Sequence, residues 1–317
     1  MARIVTLGAA LQDVYLIDHN DFGTNSRGFL NQIELGAKID IDRVKFSTGG
    51  GASNAATTFA RNNHETIFLG CIANDPAGSA ILTSFDEEGI DSSYITYVDN
   101  TQTGYSVLLL SPVGERTILT CRGASAKFNL LNPDDLDSIY PDWLYVTTLR
   151  GDFDTLEAFF TKAKSLGVKI MFNPGNLELA HPRKLLGLLK YVDVLLVNKS
   201  EAKKIVPGTV LTELISHLKN HLPAAIITAG YQGAIAANDE ETYRIGLYES
   251  VKIKDSTGAG DAFGSGVCSA LAHGKSFRDA LIFGSANSTS VIQKIGSKTG
   301  IIGPNPRLHD MHIQEIR

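Results

Sequence analysis

The stretch Asp255-Ser256-Thr257-Gly258-Ala259-Gly260-Asp261-Ala262-Phe263-Gly264 has the makeup of a place where an anion meets a proton acceptor. Its small residues let backbone N–H groups approach a charged ligand, and the pattern that follows reads as a helix to about His273, stopped by Gly274. Unpaired N–H groups and the dipole at a helix N-terminus favour a phosphate or a transferring phosphoryl group. A carboxylate there repels a bound phosphate, yet it is well placed to take the proton of a hydroxyl attacking one, and Asp261 is that carboxylate. The competing account makes the segment a Gly-rich turn with Asp261 as a helix cap. Two other phosphate-binding patterns fail. A dinucleotide fingerprint needs glycine where Phe263 stands, and a Walker loop ending in Gly274-Lys275-Ser276 needs glycine where Ser269 stands.

Such a segment has to be held by a scaffold. At 317 residues the chain has room for one large or two ordinary domains. Hydrophobic residues make up 43% and charged residues 20%, with 30 glycines, which excludes a disordered polymer or a coiled coil. A net charge of −5 argues against nucleic acid as a partner. Cys71, Cys121 and Cys268 lie far apart, so neither a disulfide framework nor a zinc site is suggested and a cytoplasmic setting fits. The apolar run Ile4 to Leu11 after Arg3 reads not as a signal segment but as a buried first strand, Ile4 to Leu7, leading into a Gly-containing turn, and no apolar stretch is long enough to span a bilayer.

From Trp143 the chain alternates. Strands are expected at Trp143 to Val146, Val168 to Phe172, Val192 to Val197 and Ala225 to Thr228, with helices near Thr155 to Leu166, Arg183 to Leu189 and Leu211 to Leu218. That rhythm requires a mostly parallel sheet with helices on both faces, and it puts ligands at the carboxyl ends of the strands. Upstream, Ala52 to Arg61 reads as a helix of small residues, Thr66 to Gly70 as a strand and Gly78 to Glu88 as a helix stopped by Gly89. Tyr15 to Thr48 suggests short strands and loops, Tyr105 to Leu110 and Glu115 to Thr120 a hairpin turning at Ser111 to Gly114, and Ser250 to Lys254 a further strand. These β-rich excursions form one small lid, of segments about 14–48 and 98–123, on a single domain spanning 1–317.

Asp-Ser-Thr-Gly-Ala-Gly-Asp at 255 to 261 resembles the C-terminal signature of the PfkB carbohydrate kinases, the ribokinase-like kinases. Four further segments agree in family order: Gly8 with Asp13, Gly49-Gly50-Gly51-Ala52-Ser53-Asn54, Asn198-Lys199-Ser200-Glu201, and Thr228-Ala229-Gly230-Tyr231-Gln232-Gly233. Thr103-Gly104 and Gly114-Glu115-Arg116-Thr117 are similar to family lid segments. The resemblance implies a ribokinase-like three-layer α/β/α sandwich with a small β lid.

It also implies roles. Gly258, Ala259 and Gly260 would form an anion hole and Asp261 would be the general base. Asp13 and Asn54 would bind substrate hydroxyls, with Gly49 and Gly50 as the hinge on which the lid closes. Asn198 and Glu201 would place Mg²⁺ and phosphates, although they also fit an ordinary helix cap. Thr228, Gly230 and Gly233 would contact ATP, although they also fit a strand-to-hairpin turn. Ser285 falls at the family's nucleoside-contacting position, with Asn287 nearby. Asp255, Thr257, Val291, Lys294 and Gly296 match a potassium site in which Gly300 replaces a serine. The expectation is an ATP-dependent kinase of a sugar or sugar-like hydroxyl, with a homodimer through the lid. A nucleoside kinase and a non-catalytic binding regulator are the rivals.

Overall fold

The computed structural model describes residues 1–17, 36, 38–110, 116–246, 251–308 and 311–316. A central nine-stranded sheet runs in the order Ile313–Glu315, Thr242–Ile245, Ala234–Ala237, Ala224–Thr228, Val194–Asn198, Lys169–Phe172, Trp143–Val146, Arg3–Leu7, Glu65–Leu69. The six strands from Ala224–Thr228 to Glu65–Leu69 pair in parallel, and the three at the other edge pair antiparallel.

Alternation along these strands sorts the apolar side chains onto two faces. Val5, Leu144, Phe172 and Leu195 enter one core, against Leu156 and Phe160 of helix Phe153–Ser165. Ile4, Tyr145, Met171 and Leu196 enter the other. There they meet Phe59 of helix Gly51–Arg61, Phe263 and Val267 of Ala259–Ala272, and Leu281 of Phe277–Ile292. The result is the three-layer α/β/α sandwich, and both outer layers are built as the sequence alternation requires.

A separate four-stranded sheet stands off this body in the order Arg43–Gly49, Leu11–Ile17, Gly104–Leu110, Arg116–Cys121. The Gly104–Leu110 and Arg116–Cys121 strands pair antiparallel as expected; their turn, 111–115, lies outside the described residues, as do 18–35 and 37 of the first excursion. The strand expected at Ser250 to Lys254 is not formed. Residues 251–254 carry no ladder, and the Lys254 and Asp255 N–H groups bond instead to Ile292 O at the end of a helix, at 2.8 and 3.3 Å. Ser250 itself lies outside the described residues. Among the described residues no helix is long and apolar enough to cross a membrane.

Candidate active site

Ala259–Ala272 starts where the sequence places it because Gly258 takes a left-handed φ of 78°, which an L side chain resists. A Cβ at Gly258 would also fall 2.6 Å from Ser297 Cβ, so two separate constraints demand glycine. Gly260 is exposed, with open space where a side chain would be. Asp261 is in the first turn, and its Oδ2 accepts from Asn54 Nδ2 at 2.8 Å. Burial pushes the Asp261 carboxyl up from the usual carboxylate range, against the pull of the Asn54 hydrogen bond. A more basic carboxylate is a better proton acceptor.

Three elements come together near Asp261: the strand Leu11–Ile17, the head of helix Gly51–Arg61 and the strand end at Thr147. Asp13, on the lid strand Leu11–Ile17, is 6% exposed, and burial pushes its carboxyl up to about 7 while Ser106 and Lys298 hold it down. A Cβ at Gly49 would fall 1.9 Å from Asp13 Oδ2. Gly50, with φ 95°, would drive a Cβ to 2.4 Å from Ala9 O. The paired glycines are thus required by close approach as well as by any hinge motion. Thr147 Oγ1 is buried without a hydrogen-bond partner, and a Cβ on Gly8 would meet it at 2.1 Å. A Cβ on Gly51 would touch both Thr147 Cγ2, at 3.0 Å, and Asp261 Oδ1, at 3.4 Å, so Thr147 and Asp261 both lie against Gly51. Asn54 is committed at both ends: Ser297 Oγ donates to its Oδ1 at 2.9 Å.

Against Ala259 and Gly260 lies a cavity of about 290 Å³. It gathers Thr228, Gly230, Gly233 and Ser285 with Ala259 and Gly260, between apolar walls that include Ile253 and Ile292. The lining combines hydroxyls and glycine backbone with apolar side chains. The turn expected at Thr228 to Gly233 is also present, since Ala224–Thr228 and Ala234–Ala237 pair antiparallel across it. The turn account is thus met, and Thr228, Gly230 and Gly233 also line the cavity.

Asn198 and Glu201 form a capping box. Asn198 Oδ1 accepts from Glu201 N at 3.0 Å, and Glu201 Oε2 accepts from Asn198 N at 2.8 Å. They sit at the strand end beside Thr228, with which Asn198 is in register, but outside the lining of the cavity. Asn287 does not reach the cavity either. It is fully buried, donating to Ala262 O at 2.8 Å and accepting from Ile302 N at 3.0 Å.

The loop expected to meet a cation is closed by its own bonds. Asp255 accepts from Thr257 N and Gly296 N, both at 2.9 Å, and Val291 O accepts from Lys294 N at 3.0 Å. Gly300 is fixed by packing, because a Cβ would lie 2.4 Å from Ser290 O, so no serine can stand there. Among the described residues no cluster of three or more His, Cys, Asp or Glu side chains is arranged to hold a metal.

A family model for pfkB family carbohydrate kinases matches residues 1–302. The chain belongs to that family. As a pfkB-family member it is an ATP-dependent kinase, in keeping with its curated relatives. It is 27% identical over 275 residues to the ribokinase of Haemophilus influenzae, covering 84% of this chain and 88% of that one. It is 24% identical over 307 residues to the ATP-dependent 6-phosphofructokinase of Thermoanaerobacterium thermosaccharolyticum, covering 93% and 89%. The structure of Arabidopsis thaliana ribokinase complexed with ribose and ATP superimposes with a TM-score of 0.80 at 21% identity, over 95% of this chain and 96% of that one.

Sequence reasoning did not single out four residues that pack or bond beside the candidate site: Thr147, against Gly8 and Gly51, Ser297, bonded to Asn54, Lys45, bonded to Ile295 O, and Lys298, bonded to Thr48 and Ser53. The strand-end rule pointed to Thr147, just beyond the expected strand Trp143 to Val146. The other three reach the site through tertiary folding alone and leave no local pattern.

Proposed function

We propose that this kinase transfers the γ-phosphoryl group of ATP to a hydroxyl of a sugar or sugar-like molecule, with ribokinase-type chemistry as the leading case. The observation that carries this is the position of Asp261. It stands in the first turn of helix Ala259–Ala272, whose Ala259 and Gly260 line the cavity, while its carboxylate is held by Asn54 and lies against Gly51 beside Thr147. A hydroxyl seated there loses its proton to Asp261 as it attacks, and the amides of Gly258 to Gly260 stabilise charge on the transferring group. Asp13 and Thr147 orient the acceptor, Asp13 as a hydrogen-bond acceptor and Thr147 as either partner.

Glu201 fits a role toward Mg²⁺ through water: its Oε2 is held by Asn198 N, at the strand end beside Thr228. When bound, Mg²⁺ neutralises phosphate charge during transfer. Potassium has a thinner case, resting on Asp255, Thr257, Val291, Lys294 and Gly296 with Gly300 unable to contribute a side chain. Faster turnover in potassium than in sodium or a bulky organic cation at matched ionic strength supports that site, and equal rates remove it.

A coupled ADP-release assay over pentoses, hexoses, their phosphates and nucleosides at fixed MgATP tests the function. Turnover with a free or phosphorylated sugar is the expected outcome. Turnover with nucleosides alone reassigns the acceptor class, and MgATP binding without turnover on any acceptor turns the reading toward a binding regulator.

A further inference from the structure

The turn from Ile295 to Thr299 touches both the reacting groups and the lid. Toward the reacting groups, Gly296 N donates to Asp255 Oδ2 at 2.9 Å, which anchors the loop leading into the anion hole. Ser297 packs against Gly258, and its Oγ donates to Asn54 Oδ1, whose amide in turn holds Asp261. Toward the lid, Lys45 on strand Arg43–Gly49 donates through Nζ to Ile295 O at 2.5 Å and Thr299 Oγ1 at 3.4 Å. Lys298 donates through Nζ to Thr48 Oγ1 at 2.8 Å and Ser53 Oγ at 2.7 Å. Thr48 immediately precedes Gly49-Gly50 and Ser53 follows it, so one ammonium holds both sides of that glycine pair.

An ammonium in this place is costly. Lys298 is 7% exposed, and burial lowers its pKa to about 7 against the attraction of Asp13 and Glu88, with Arg61 adding to the drop. Burial also lowers the pKa of Lys45. An apolar side chain of similar volume would pack there at less expense, so the charge is kept for what it connects.

We propose that the turn 295–299 transmits lid position to Asp261 and the anion hole, with Lys45 and Lys298 as its positioning residues. Neither ammonium contacts the base or the anion hole. Closing the lid brings Lys45 onto the turn, and the turn then holds the Asp255 loop and the Asn54–Asp261 pair in register. This rests on the kinase reading above. A second lid arm, Arg116, donates to Ser256 Oγ directly and provides the contrast.

The test is hydrogen exchange on the full-length, ligand-free protein, compared among the parent, Lys45→Met, Lys298→Met, Lys45→Arg and Arg116→Met. Coupling energies along such networks correspond to about three- to thirtyfold effects. Lys45→Met and Lys298→Met should speed exchange of the 255–261 amides by such a factor, and Lys45→Arg should restore protection. With the acceptor found in the ADP-release assay, both Met variants should lower kcat by a similar factor while KM for MgATP changes less than about twofold. If Lys298→Met does not fold, Thr48→Val removes the same lid hydrogen bond. Faster exchange confined to residues 43–48, or loosening of 255–261 only in Arg116→Met, overturns the proposal. A parent that transfers no phosphoryl group to any acceptor defeats the kinase reading, and the exchange experiment still decides the coupling.

Discussion

Asn54 Nδ2 lies 2.8 Å from Asp261 Oδ2, a bond between residues 207 apart in sequence, and it sets both the aim and the basicity of the carboxylate. The hydrogen bond favours the ionised form while burial opposes it. Asp261→Asn keeps the shape and removes the proton acceptor, so the loss should fall on kcat, by about 10² to 10⁴, with MgATP binding preserved. Steady-state rates beside nucleotide binding by calorimetry check this. A folded variant that binds MgATP and turns over within about threefold of the parent rules out Asp261 as the base.

What could be read from the sequence was whatever a few neighbouring residues decide. The alternation in Trp143 to Val146 and its successors settled the sheet and its two helical layers, and Gly89, with φ 69°, stops a helix where expected. Ser250 to Lys254 was misread because its β-like composition carried no information about the partner, which is a helix-end carbonyl at Ile292. Asn198 and Glu201 show the opposite difficulty: the same two residues satisfy a capping box and a ligand motif, and local pattern cannot separate the two. Ser297 and Lys298 sit in an unremarkable Gly-Ser-Lys segment, and their roles arise from contacts with residues more than two hundred positions away.

Gly49→Ala separates steric demand from hinge freedom. The added methyl would lie 1.9 Å from Asp13 Oδ2, so the carboxylate or the lid strand has to shift. Overpacking of this kind costs about 1–3 kcal/mol, to be read from denaturant unfolding. If the cavity lined by Thr228, Gly230 and Gly233 takes the nucleotide, as proposed, the acceptor kcat/KM should fall while KM for MgATP stays near the parent's, because Gly49 does not line that cavity. Equal losses for both substrates would mean that Gly49 acts on the whole lid rather than on Asp13.

Asp13 also gives the protein a pH signature. Its carboxyl titrates at about 7 in the folded state, above the ordinary carboxylate range of the unfolded chain. Between those values the folded state holds a proton that the unfolded state has released, so this group's contribution to stability is full below the ordinary range and is lost as pH rises through about 7. Unfolding free energies of the parent and Asp13→Asn should converge or cross as pH rises from 4 to 7 (the ordinary and shifted values, approximately). A constant difference across that window would show the carboxyl already ionised. Lys298, lowered to about 7, acts above this window with the opposite sign: the unfolded chain then binds the extra proton, and stability rises with pH.

Two exposed residues at the ends of one row of the lid sheet predict how copies of this chain associate. Phe46, Val14, Val107 and Leu119 are in register across all four strands and so share one face. Phe46 is 65% and Leu119 58% exposed, at either end of that row. Burying such a row against its counterpart in a second copy removes two large apolar side chains per chain from water, and a two-fold arrangement makes the contact self-complementary. The protein should therefore be a dimer by light scattering at micromolar concentration. Phe46→Glu places a charge within the buried row of each copy and should give monomers with an unchanged fold by circular dichroism. A parent that is monomeric throughout that concentration range, or a Phe46→Glu variant that remains dimeric, excludes this face as the interface.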